Sequence, residues 1–370
     1  MSKIRQIIKL ILVRLKVLVR EQSEYFRFKQ LKFIESVKLD QVKVKAHIIG
    51  CGSMGRHIAQ VITSVEGWEI VSVFDKDSEM VSRIANQLNK QFEVISIESF
   101  LKGIGNDDLL IIATTANSHF EITEAALKLG IKKIFLEKPV CVSINDANTL
   151  IKLQKERSAL VYVDHLRRWT PTAESINRLI QSGSIGKMVS IHYVFGRAGF
   201  AMIGSHIFDY FRMITKSEIK NVRGSLDKVN RPSWRGLEFV DPSGTCEARM
   251  KNGVRVTIDL SDDLESQQDF FIVFCERGRL EVDQKNGRIK LIGLSGFEWQ
   301  AVYPWSEMLK HGIAVALFEL AKGIPPKCSL VDGKSALEAV IAIHESDKRQ
   351  GSWIELPLKG DITNKKFQFA

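Results

Sequence analysis

Residues 44–62 read VKAHIIGCGSMGRHIAQVI: a short apolar strand, then Gly50, Gly52 and Gly55, then a helix. In that strand–turn–helix setting the pattern G-x-G-x-x-G has a mechanism. Gly50 permits a tight turn, Gly52 lets the backbone approach a pyrophosphate, and Gly55 lets helix and strand pack closely. The first helical turn, with Ser53 and Met54, then offers free N–H groups to the anion. Three glycines in a turn can also be turn chemistry alone, so the neighbouring sequence has to decide.

It decides for a dinucleotide. GWEIVSVFDKD (67–77) is a second strand ending at Asp75, twenty residues after Gly55, where a carboxylate would bond the ribose hydroxyls and repel a 2′-phosphate. Asp75 favours NAD, and Lys76 beside it leaves NADP open. LLIIATT (109–115), IKKIFLEK (131–138) and ALVYV (159–163) read as further strands, with helices over 117–129 and 143–155. Strands alternating with helices of this length predict an α/β fold with a doubly wound parallel sheet. Ligands of such sheets lie beyond the carboxyl ends of the strands. Thr114, Thr115, Asn117, His119, Glu137 and Lys138 all fall there. Lysine is costly to bury, and Pro139 ends the strand behind it, so Lys138 is expected to face the cofactor crevice.

Composition narrows the class. Of 370 residues, 45% are hydrophobic and 26% charged, as in an ordinary globular protein of about two domains. Five scattered cysteines without a Cys-x-x-Cys pair argue for reduced thiols in a cytoplasmic setting, and against a disulfide frame or a metal site. The net charge of +10 is concentrated in residues 1–45, with twelve Lys/Arg against four Asp/Glu, so it does not point to nucleic acid. Residues 1–20 (MSKIRQIIKLILVRLKVLVR) form an amphipathic pattern whose apolar runs are broken by basic residues. That excludes a spanning helix and disfavours a cleaved signal. Two readings stay open: a helix lying on an anionic membrane surface, or one packed on the protein or a partner subunit.

ATTANSH (113–119), LEKP (136–139), VDHLRRWTP (163–171), GSHIFD (204–209) and GSWIELPL (351–358), together with the glycine loop, resemble the family of glucose-fructose oxidoreductase, inositol dehydrogenase and related NAD(P)-dependent sugar enzymes, the Gfo/Idh/MocA type. The resemblance covers roughly residues 43–357. It implies an N-terminal Rossmann domain (43–165) after a basic extension (1–42), then an α+β domain (166–357) with a large open, mostly antiparallel sheet, and a tail (358–370). HYVFG, EIKNVRGSLDKV, TCEARM, VRVTIDL, DFFIVFC and RLEVD read as its strands, and 308–322 and 333–345 as helices, one of them packing back on the first domain.

The resemblance implies hydride transfer between a nicotinamide and a sugar or sugar-nucleotide hydroxyl, within a dimer or tetramer. It puts Lys138 beside the reacting oxygen, after Glu137 as an anchor and before a Lys-Pro bond that is often cis. His206 matches the general base and Asp209 the acid that follows it, but Met202 stands where the family motif has its first Asp. Asp164 and His165, which end a strand near the same crevice, are candidate substitutes, Arg168 or Arg167 is a candidate partner for anionic groups of the substrate, and Asp164 in a solvated turn is the alternative. Arg197, Arg231 and Trp234 are further candidates for substrate contact. Met202 keeps two other readings alive: a carbonyl or imine reductase of the same fold, and a non-catalytic NAD-binding sensor or scaffold.

Overall fold

The computed structural model describes residues 42–93, 96–196, 198–227, 239–260, 268–294, 298–302 and 305–369. The basic helix expected over residues 1–20, and Arg197, Arg231 and Trp234, lie outside the described residues.

The first half alternates strand and helix: β1 (Val44–Ile49), α1 (Ser53–Thr63), β2 (Trp68–Phe74), α2 (Ser78–Leu88), α3 (Ile97–Lys102), β3 (Leu109–Ile112), α4 (His119–Lys128), β4 (Lys133–Leu136), α5 (Ile144–Arg157) and β5 (Leu160–Val163). The strands form one parallel sheet in the order β2-β1-β3-β4-β5. Its centre is apolar without alternation because helices cover both faces; all four residues of β3, LLII, are buried. The glycine loop is fixed by contact. Gly50 has φ +95°, and a Cβ on Gly55 would lie 1.9 Å from the Gly50 carbonyl oxygen. In the register of β4 and β5, Leu136 pairs with Val163, so Glu137 and Asp164 leave the sheet side by side.

The second half comprises α6 (Pro171–Gln181), β6 (Met188–Phe195), α7 (Ser205–Thr215), β7 (Ile219–Leu226), β8 (Gly244–Met250), β9 (Arg255–Asp259), β10 (Asp269–Cys275), β11 (Gly278–Asp283), β12 (Arg288–Gly293), β13 (Glu298–Val302), α8 (Trp305–Ala321), α9 (Leu330–Lys348) and β14 (Ile354–Glu355). Its nine-stranded sheet runs β13-β12-β11-β10-β6-β9-β8-β7-β14 and is antiparallel except between β6 and β9. Alternation is clean in β8, whose Cys246, Ala248 and Met250 face inward while Thr245, Glu247 and Arg249 face out.

Both late helices pack back on the first sheet, where one was expected. Helix α8 meets α1, β4 and β5, and α9 meets α5, β5, α7 and β7. The reason lies in α9, whose Leu337, Val340, Ile341 and Ile343 are all buried, so that it has apolar contacts on more than one side. Its start is fixed by a reciprocal cap between Ser329 and Asp332.

Candidate active site

Helix α1 begins after Gly52 with no side-chain cap and no acidic residue in its first turn, so its leading N–H groups are left to an anion. A Cβ on Gly52 would meet nothing within 4 Å, which leaves open space in front of the loop. These features fit a dinucleotide pyrophosphate. Ser53 is exposed and Met54 half-buried at the loop's edge. Asp75 braces the loop from behind: Oδ2 accepts the Cys51 N–H at 2.7 Å and Oδ1 that of Asp77 at 3.0 Å. Each oxygen keeps a second acceptor direction for a ribose hydroxyl.

Thr114 and Thr115 are half-buried and Asn117 exposed at the end of β3. The Thr115 hydroxyl donates to Asn117 Oδ1 at 2.7 Å, and Ser118 to Thr114 Oγ1 at 2.8 Å. His119 does not face the crevice as expected. Its ring is wholly buried, with Nδ1 2.8 Å from the Pro139 carbonyl and Nε2 3.1 Å from that of Thr114. It ties the ends of β3 and β4 together, because a buried imidazole needs partners and the two strand ends supply them.

Lys138 is only 8% exposed and precedes a cis peptide to Pro139. Its Nζ donates to the Met202 carbonyl at 2.9 Å. The chain thus meets the lysine with a main-chain oxygen at the position where the family motif has a carboxylate. Met202 sits in a π-helical turn, Phe200–Gly204, that runs into α7, a geometry that recurs at functional sites. Sequence reading missed Asp241, whose oxygens accept the N–H groups of Ala201 and Met202 at 2.7 and 2.8 Å. Nothing local announces it, since it acts across about forty residues.

Asp164 is not in a solvated turn. It is 2% exposed and lies beside Glu137, which is also buried. Glu137 Oε1 and Asp164 Oδ1 have no hydrogen-bond partner unless one carboxyl carries a proton. Burial, and then the Glu137 charge and hydrogen bond, hold the Asp164 pKa well above the carboxylate range, and Lys138 pulls it only partly back. The folded state therefore binds a proton that the unfolded chain releases. Its stabilising contribution is complete below the ordinary Asp value and is lost as pH rises through the raised one. Asp164→Asn, whose amide can donate to Glu137, is expected to flatten the pH dependence of stability and to stabilise the chain relative to wild type at neutral and alkaline pH. Urea unfolding at several pH values checks this; parallel profiles for the two proteins would reject the shared proton.

The two histidines meet: His165 Nδ1 lies 3.3 Å from His206 Nδ1, so one donates and one accepts. Burial first, then Lys138, Arg167 and His165, keep the His206 pKa well below the histidine range, so it stands neutral and able to accept a proton. Burial likewise pushes His165 down to about 4. Arg168 and Asp209, expected to contact substrate, instead bind each other. Arg168 Nε and Nη2 reach the two oxygens of Asp209, both at 2.7 Å, and Nη2 also reaches Asp332 at 3.1 Å. Arg212 joins the cluster through Asp332 at 3.2 Å and Glu218 at 2.6 Å. Buried charges need such partners, and these lock the segment after β5 to α7 and α9. Arg167 is held by Gln284 at 3.0 Å and Asp269 at 3.3 Å. His165, Asp209 and Cys328 bring ligand-type atoms within 4.8 Å of one another, but both Asp209 oxygens already serve Arg168, whose charge would repel a cation.

The family model described as "Oxidoreductase family, NAD-binding Rossmann fold" matches residues 44–165. The model described as "GFO/IDH/MocA C-terminal domain" matches residues 174–281. The chain is similar to inositol 2-dehydrogenase 1 of Saccharopolyspora erythraea, 24% identical over 63% of this chain and 71% of that protein. It is also similar to scyllo-inositol 2-dehydrogenase (NAD(+)) of Bacillus subtilis, 26% identical over 55% and 63%. An inositol dehydrogenase homologue of Azotobacter vinelandii, solved with NADH and myo-inositol, shares the fold at a TM-score of 0.73, 16% identity, and coverage of 86% of this chain and 98% of that one. The two models adjoin where the parallel sheet ends and the second half begins, and together they identify this chain as a member of the Gfo/Idh/MocA oxidoreductase family.

Proposed function

We propose that the protein is an NAD-dependent dehydrogenase of a sugar, sugar nucleotide or cyclic polyol. The observation that carries this is the meeting of Lys138 with the start of α7: a buried ammonium at a strand end of the first sheet, directed at the turn that leads into neutral His206. The dinucleotide, held by Gly50, Gly52, Gly55 and Asp75, with Thr114, Thr115 and Asn117 along its path, would accept or return the hydride. Lys138 holds the substrate oxygen and stabilises negative charge on it. His206 takes the hydroxyl proton on oxidation and returns it on reduction. NAD is favoured over NADP by Asp75 and by the names of the relatives.

A panel of inositols, aldoses and nucleotide sugars, followed through nicotinamide absorbance in both directions, tests the reading. Turnover with NAD is expected, with the acid limb of its pH profile below the ordinary histidine range because His206 is already neutral there. Firm NADH binding with no turnover anywhere on the panel would leave a sensor or scaffold. Met202 favours a second reading, net reduction of a carbonyl, which the same panel separates by direction.

The nine-stranded sheet, with Phe274 exposed against His192 on its outer face, supports a homo-oligomer through that face; a monomer by light scattering would end that part. No described helix is long and apolar enough to cross a membrane. A cytoplasmic setting is supported by the scattered, odd set of cysteines in the sequence, and contact of residues 1–20 with anionic lipid by their pattern alone, testable by co-sedimentation with phosphatidylserine vesicles.

A further inference from the structure

The carboxyl-terminal segment runs along the surface of the protein and buries its end. Phe369 is 1% exposed, and it stacks on Phe367 with ring centres 5.3 Å apart. Both rings lie against His344 of α9, at 5.5 and 5.7 Å. On one side the segment is tied to the first half: the Phe367 N–H donates to the Val142 carbonyl at 3.0 Å, and Asn145 bonds Asn364 at 2.5 Å. On the other side the Gln368 carbonyl accepts the Val240 N–H at 2.7 Å.

Val240 is followed by Asp241, and the next carbonyl, Pro242, accepts the Phe200 N–H at 3.1 Å. The leading N–H groups of a helical turn have no partner within the turn. Here three consecutive ones, from Phe200, Ala201 and Met202, are all taken by residues 241 and 242. Gly199 is shaped to this contact: a Cβ there would lie 2.0 Å from Asp241 Cγ. The segment reaches residue 240 through one hydrogen bond, and residues 241 and 242 hold the turn through three, so the order of the Met202 turn depends on the chain that presses Asp241 onto it.

We propose that residues 358–369 act as a strap, and Asp241 as a positioning residue, which together hold the Met202 carbonyl against the Lys138 ammonium. The strap would set the place of the lysine without touching substrate or dinucleotide. The functional part of this inference rests on the role given to Lys138 above; the structural part does not.

The test compares the wild type, a chain ending at Lys359, Asp241→Ala and Asp241→Asn, each saturated with NADH. Hydrogen exchange of the Ala201 and Met202 amides is expected to quicken about tenfold or more in the first two variants, the equivalent of one lost buried hydrogen bond. NADH affinity should stay within about twofold, since none of the strap's contacts described above involves the glycine loop. Asp241→Asn keeps one acceptor oxygen, so one of the two amides should stay protected. With a substrate from the panel, kcat should fall about tenfold in the shortened chain and in Asp241→Ala, with the KM for NAD unchanged. Combining the two changes should add little. Unchanged exchange in Asp241→Ala would overturn the strap whatever the panel shows. Faster exchange in a protein that turns over nothing would overturn the enzymatic reading and leave the strap standing. Should the shortened chain fail to fold, the two Asp241 variants decide.

Discussion

Lys138→Met is expected to leave NADH bound and to lower turnover by about 100- to 1,000-fold, the usual effect of removing one preorganised donor from a developing oxyanion. Methionine fills much of the same space, so packing around Pro139 survives. Two stability effects oppose each other. The Met202 carbonyl loses its donor, at about 1–3 kcal/mol if no water replaces it, while a buried cation no longer has to be desolvated. The net change in melting temperature should be small. Loss of NADH affinity in step with kcat would show that the lysine serves the dinucleotide and not the substrate oxygen. An unchanged kcat would remove the proposed chemistry altogether.

That lysine could be read from sequence because three local signals coincide: an apolar run that must be a buried strand, a proline that must end it, and a charge that cannot stay in the core. The same logic finds the glycine loop and the LLII strand. The alternation of RIKLIG (288–293) in β12 and the Thr170–Pro171 start of α6, where a threonine cap precedes a proline, are absent from the reading above, though each is legible. The two-residue β14 is not, because only its pairing with β7 defines it. The charged residues of the site divide along the same line. Arg168 and Asp209 have the chemistry to bind a substrate, and sequence shows that chemistry. It does not show that Asp332, far along the chain, completes a buried cluster around them. Asp164 looks like a turn residue until the register of β4 and β5 sets it against Glu137. Local pattern tells where the chain turns; which charge meets which is decided by packing.

Two glycines a few residues apart should respond to the same substitution in opposite ways. At Gly55 a new Cβ would sit 1.9 Å from the Gly50 carbonyl oxygen. No rotamer relieves a clash with backbone, so α1 must move off the loop. Gly55→Ala should cost about 1–3 kcal/mol of stability and lower the melting temperature by several degrees, with NADH binding falling as a consequence. At Gly52 the same methyl meets no atom of the protein, and φ of −66° suits alanine. Gly52→Ala should therefore melt like wild type. Its methyl occupies the space where a pyrophosphate would approach the backbone, so NADH affinity should drop at least about tenfold, one lost close contact to the phosphates being worth 1–2 kcal/mol. Thermal melts and NADH fluorescence titration on the two variants measure both quantities. A Gly52→Ala protein that binds NADH like wild type would mean that the dinucleotide does not cross the glycine turn, and Lys138 would then have no nicotinamide to serve.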